Sequence, residues 1–162
     1  MTAEELIRLL KLEPHPKEGG WFRETYRSSG ACEPGAPFEG ERSHGTAIYY
    51  LLTPDTFSAL HRLPGDEVFH FYLGDPVEML ELHPDGSART VVLGPDPRTM
   101  QLQHVVTGGV WQGTRLIEGG SFALMGCTVA PGFDYADYEP GSAALVEAWP
   151  QQRARILDLL GD

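Results

Sequence analysis

The sequence predicts an all-β fold, an antiparallel barrel or jelly roll that carries a short helix at each end. Three observations support this. Short runs rich in β-branched and aromatic residues recur between residues 21 and 129, Gly, Pro, Asp and Ser separate them, and no helical periodicity lies between them. Strands at this spacing without intervening helices argue against βαβ units and a doubly wound nucleotide fold.

The first element is a helix. Thr2-Ala3-Glu4-Glu5 reads as a capping box, and Leu6, Leu9 and Leu10 recur at helical spacing until Pro14 and Pro16 forbid continuation. Strands are expected over residues 21–27, 47–52, 57–63, 67–73, 77–82, 88–93, 101–106, 113–116 and 122–129. Leu63-Pro64-Gly65-Asp66, Gly74-Asp75-Pro76, His83-Pro84-Asp85-Gly86 and Gly94-Pro95-Asp96-Pro97 each combine a φ-fixing proline with a permissive Gly or Asp, as hairpin turns require. Residues 31–41, rich in Pro, Gly and Glu, read as a surface loop that can order over a pocket mouth. Pro150 suits the first turn of a closing helix whose Ile156, Leu157 and Leu160 form an apolar stripe. The organisation expected is one domain over 1–162, with a helical arm at 1–16, a barrel at 20–130 and a helical segment at 141–162.

A chain of 162 residues with 41% hydrophobic content can bury one sizeable core. Its formal charge of −11 repels duplex nucleic acid and anionic membranes, whose binding needs clustered Lys and Arg, so neither is expected as a partner. Local arginines such as Arg23, Arg62 or Arg115 leave room for an acidic small ligand. No apolar run is long enough to cross a bilayer and the first ten residues are charged, which predicts a cytoplasmic protein. Cys32 and Cys127 stand far apart without C-x-x-C spacing and are expected as free thiols.

The stretch from His61 to Gly74 holds His61, Glu67 and Gly74 at the spacing of the first cupin motif, with Leu63 where a second His would stand. Thr107-Gly108-Gly109-Val110-Trp111-Gln112 follows the frame of the second motif, with Gln112 in place of its histidine. Together with Gly19-Gly20-Trp21-Phe22-Arg23-Glu24-Thr25-Tyr26-Arg27, Tyr49-Tyr50-Leu51-Leu52 and Val129-Ala130-Pro131-Gly132-Phe133, these segments resemble the branch of the superfamily called cupin family five. The resemblance covers nearly the whole chain. It implies a double-stranded β-helix barrel, a homodimer, and a small-molecule ligand in the barrel.

It also implies that His61 and Glu67 face the interior and meet Gln112 there. Bare polar groups in such a place cost about 1–3 kcal/mol each, so mutual hydrogen bonds, water, a metal or a ligand must satisfy them. Three chemistries fit. The first is metal-independent isomerase or epimerase work on a sugar, nucleotide or amino-acid derivative, with His61 as base, Glu67 beside it and a tyrosine acid such as Tyr49; alternation turns Tyr49 and Tyr50 to opposite faces, so at most one points inward. A metal-dependent dioxygenase would hold its ion on His61, Glu67 and Gln112, a set short of two histidines that suits at most a weak divalent metal, and no cofactor is otherwise implied. The third is binding without turnover. Arg23 and Thr25 share a strand face, both inward or both outward, and join Gln112, Trp111 and Phe133 as candidate ligand contacts. His70 falls on the face opposite Glu67, and His15 lacks motif support.

Overall fold

A computed structural model describes residues 1–161. Nine strands of four or more residues form the body: β1 Trp21–Arg27, β2 Thr46–Leu52, β3 Phe57–Arg62, β4 Asp66–Gly74, β5 Val77–Leu82, β6 Ala88–Leu93, β7 Gln103–Val106, β8 Trp111–Leu116 and β9 Ala123–Ala130. Each coincides with one of the expected runs to within two residues at either end. Two-residue strands at Glu13–Pro14 and Glu139–Pro140 extend the sheets, and Ala31–Cys32 pairs with Arg42–Ser43 across the Pro-rich loop.

The strands divide into two antiparallel sheets packed face to face as a jelly roll. The larger runs Glu13–Pro14, β1, β2, β9, β4, β7, and the smaller runs Glu139–Pro140, β3, β8, β5, β6. Alternation assigns the faces. Tyr50, Leu52, Phe69, Phe71, Val77, Met79, Leu93 and Met125 fill the space between the sheets. Burial of each such side chain is worth about 1.5–3 kcal/mol.

The helices cover the outer faces. α1, Ala3–Leu10, opens with the expected capping box, Glu5 N–H donating to Thr2 Oγ1 and Thr2 N–H to Glu5 Oε2. It docks on the larger sheet through Ala3, Leu6, Ile7 and Leu10, while Leu9, expected in the apolar stripe, is exposed, because the buried face follows the i, i+3, i+4, i+7 spacing from Ala3. On the smaller sheet lie α2, Leu145–Ala148, and α3, Arg153–Asp158. Pro150 begins a 3₁₀ turn just before α3, and Ile156 with Leu159, rather than Leu157, packs on Leu60, Leu80, Leu82 and Trp111. Among the described residues no helix is long and apolar enough to cross a membrane.

Candidate functional site

At one end of the barrel the two sheets enclose a cavity of about 370 Å³. His61 and Glu67 both line it, the first from β3 and the second from β4, and they are only 1% and 5% exposed. The nearest carboxylate to the His61 ring, however, is that of Glu18, a residue not singled out by the sequence.

The segment 15–20 forms the cavity floor because of two glycines. Gly19 and Gly20 take φ of +91° and +74°, conformations open to glycine, and a Cβ on Gly19 would lie 2.4 Å from the Phe57 carbonyl oxygen. The chain therefore lies flat against β3, where Ala59 N–H donates to the Glu18 carbonyl at 2.8 Å and the Tyr50 hydroxyl to the Gly19 carbonyl at 2.6 Å. Glu18 is thereby turned inward, its Oε1 accepting from Ser58 Oγ at 2.5 Å. Its Oε2 stands 3.9 Å from both His15 Nε2 and His61 Nε2. That separation is too long for a direct hydrogen bond and leaves a gap between three polar atoms.

Hydrogen bonding assigns opposite tautomers to the two imidazoles. His61 Nδ1–H donates to the Ala59 carbonyl at 2.7 Å, which leaves the Nε2 lone pair free on the Glu18 side. His15 Nδ1 accepts the backbone N–H groups of Glu18 and Lys17 at 2.9 and 3.3 Å, so its proton sits on Nε2. Burial, and secondarily the neighbouring His61, hold the His15 pKa below the usual imidazole value against the pull of Glu18. The floor thus presents a proton acceptor, a proton donor and a carboxylate together.

Glu67 lies beside this group without touching His61 by a hydrogen bond. Its Oε2 accepts from Gln112 Nε2 at 3.2 Å, and the thiol of Cys127 is its other neighbour. Desolvation, then the nearby Glu18 carboxylate, push its pKa up to about 7, against the opposing effects of His61, Gln112 and Cys127. Gln112 Oε1 is buried without a partner. Burial raises the Cys127 thiol well above its ordinary value, so it stays protonated.

The wall opposite the floor is the segment 133–140. Phe133 and Tyr135 line the cavity as a corner, with ring centroids 5.0 Å apart and planes at 85°. Tyr138 stacks on His61 at 5.1 Å and 18°, placed there by the pairing of Glu139 and Pro140 with Arg62 and His61. Burial, then Glu18, raise the pKa of both tyrosines, which keep their protons. Arg42 secures this wall: its buried guanidinium makes a bidentate pair with Asp137 at 2.9 and 2.7 Å and donates to the Glu39 and Glu41 carbonyls.

Several candidate contacts fall elsewhere. Tyr49 faces away from the cavity, packed edge-on against Tyr72 on the outer side of the larger sheet, since it alternates with inward Tyr50. Arg23, paired with Tyr49 across the strands, borders the cavity, but its guanidinium stands 5.6 Å over the Tyr49 ring. Thr25 sits in a bulge between Glu24 and Tyr26, and its exposed hydroxyl donates to the Ala47 carbonyl. Trp111 packs in the outer cluster beneath the C-terminal helices, with Arg62 at 4.6 Å over its ring, and so contributes packing rather than ligand contact. Phe133 lines the cavity. In the set His61, Glu67 and Gln112 the amide turns its N–H to Glu67 Oε2 and offers a metal only one nitrogen and one carboxylate beside it, a poor donor set. Among the described residues no three His, Cys, Asp or Glu side chains are arranged to hold one.

His15, Glu18 and Ser58 are site residues that the sequence reading missed. The available signal was the Gly19-Gly20 pair directly after Glu18, which marks a close backbone approach.

Comparison with known proteins agrees with this architecture. The family described as Cupin superfamily (DUF985) matches residues 4–140. The uncharacterised protein YML079W of Saccharomyces cerevisiae is 31% identical over 149 residues, 85% of this chain and 74% of that protein. A hypothetical protein from Leishmania major superposes with a TM-score of 0.91 at 34% identity, covering 100% of both chains. Protein SO0799 from Shewanella oneidensis does so with a TM-score of 0.88 at 34% identity, over 99% of this chain and 98% of that one. Two packed antiparallel sheets, the degraded motif frames around His61 and Gln112 and a match along most of the chain lead to one conclusion: the protein belongs to the DUF985 family of the cupin superfamily.

Proposed function

We propose that the protein binds a small polar molecule inside the barrel and moves a proton on it without a metal, as an isomerase or epimerase does, with His61 as the base. The observation that carries this reading is the His61 tautomer: Nδ1–H is committed to the Ala59 carbonyl, and the free Nε2 faces a cavity whose nearest carboxylate is 3.9 Å away. A substrate carbon beside a carbonyl gives its proton to Nε2. The imidazolium so formed is stabilised by Glu18, and Tyr135 protonates the oxygen of the resulting enolate; return of a proton to carbon and of the hydroxyl proton to Tyr135 completes the cycle. Tyr138, stacked on His61, holds the ring in this orientation. A cavity of about 370 Å³ lies at the small end of ligand sites and suits a sugar or amino-acid derivative better than a whole nucleotide sugar.

The test is a thermal-shift screen of metabolites on the protein and on H61N, followed by proton NMR of each hit in deuterium oxide. Deuterium incorporation that falls by about 10²–10⁴-fold in H61N is the expected result. A hit that binds in the cavity without exchange overturns the catalytic part and leaves a binding protein. We further propose that the protein works as a homodimer joined through the outer face of the larger sheet, where Tyr26, Tyr72 and Val105 are exposed. A monomer mass in light scattering refutes that.

A further inference from the structure

The charges lining the cavity are unequal. Glu13, Glu18 and Glu24 contribute carboxylates, Glu67 contributes a buried carboxyl that is largely protonated below about pH 7, and Arg23 and Arg27 contribute guanidiniums. Arg27 is engaged, pairing with Glu24 at 2.7 Å and donating to the Phe133 carbonyl at 3.0 Å. Arg23 borders the cavity with its guanidinium 5.6 Å over the Tyr49 ring, on the outer side of the sheet, and its buried Nε has no partner among the described residues. His15 does not redress the balance, since its Nδ1 is an acceptor and burial disfavours its charged form.

Glu18 is the decisive group. It is 9% exposed, lines the cavity, and its Oε2 receives no hydrogen bond from any described residue. Of its two imidazole neighbours at 3.9 Å, His61 Nε2 is a second acceptor and the His15 Nε2–H lies beyond hydrogen-bond reach, so the oxygen is left to accept from a ligand with N–H donors. A hydroxyl brings one donor, an ammonium brings three, and an anion brings none. The wall suits the rest of such a molecule, because the Phe133–Tyr135 corner offers aromatic surface for a carbon skeleton. The formal charge of −11 draws cations toward the protein from a distance and repels anions.

We infer that the cavity selects a small molecule bearing a primary ammonium group, which sits against Glu18 Oε2 and leaves His61 Nε2 to the neighbouring carbon, with the rest of its skeleton in the corner of Phe133 and Tyr135. This rests on the binding reading above and narrows it to amino sugars and amino-acid derivatives over phosphorylated or carboxylated ones.

The experiment uses glucose as the neutral reference and two sugars that each differ from it at one position: glucosamine as the cation, with an ammonium at C2, and glucuronate as the anion, with a carboxylate at C6. Each is titrated at millimolar concentration into the full chain, slightly below neutral pH, by calorimetry and thermal shift. Glucosamine is expected to bind roughly tenfold more tightly than glucose, as a charge-assisted hydrogen bond is stronger than a neutral one, with glucuronate weakest. E18Q removes the preference. Y135L, a change at a residue that is 44% exposed and outside the packed core, weakens glucosamine several-fold and leaves the fold intact, which covers the case in which E18Q does not fold. Glucuronate binding as well as glucosamine, a preference that survives in E18Q, or no binding of any of the three overturns the ammonium assignment. Cavity binding itself falls only if the wider screen finds no ligand that H61N loses.

Discussion

Glu67 makes a quantitative prediction about stability. In the folded protein its pKa is pushed up from 4.5 to about 7, chiefly because the carboxyl is buried and secondarily because Glu18 is close. Over that interval the native state keeps a proton that the unfolded chain releases, so stability falls as pH rises from about 4.5 and levels off above about 7. At about 1.4 kcal/mol per pH unit the loss comes to about 3 kcal/mol. E67Q keeps the shape of the protonated acid and its contact with Gln112 but cannot ionise. Urea unfolding of both proteins from about pH 5 to about pH 8 measures the difference. The two should be alike near the acid end, and the variant should be more stable by up to about 3 kcal/mol at the alkaline end, a difference of about 6–12 °C in Tm for a chain of this size. Parallel stability curves would refute the claim that this carboxyl is buried in competition with a second carboxylate.

Three further outcomes are expected. R42A leaves the part-buried Asp137 without its partner and should lower stability in urea unfolding, part of which R42M/D137L restores. G19A places a side chain at φ +91° and 2.4 Å from the Phe57 carbonyl; it should cost about 2 kcal/mol or more in the same assay and weaken every cavity ligand. Y49F should leave deuterium exchange on any substrate unchanged while Y135F lowers it, because Tyr49 lies across the sheet from the cavity; the opposite order would restore Tyr49 as the acid.

The fold was legible because its signals are local. Proline-glycine turns and period-two patterning are written into consecutive residues, and each expected strand reappears within a few residues of its place. His61, Glu67 and Gln112 were legible through motif spacing. Tyr49 was misread because alternation says that Tyr49 and Tyr50 oppose one another without saying which faces the core, and packing against Leu52 and Phe69 decides for Tyr50. Trp111 was misread for the same reason, being one residue out of phase with inward Gln112. Glu18, His15 and Tyr138 reach the site only through long-range pairings, Glu18 with Ala59 and Glu139–Pro140 with β3, which leave no periodic trace in the sequence.

The clamp of Arg42 on Asp137 has a consequence for where the site tolerates substitution. The reactive floor is built into the sheets and their Gly-Gly approach, where most replacements would damage the barrel. The aromatic corner instead belongs to a strip held by side-chain bonds from Arg27, Arg42, Thr46 and Arg62 and by a two-residue pairing. The side chains of that strip can therefore change with less disturbance to the sheets that carry His61 and Glu67 than changes in the floor itself.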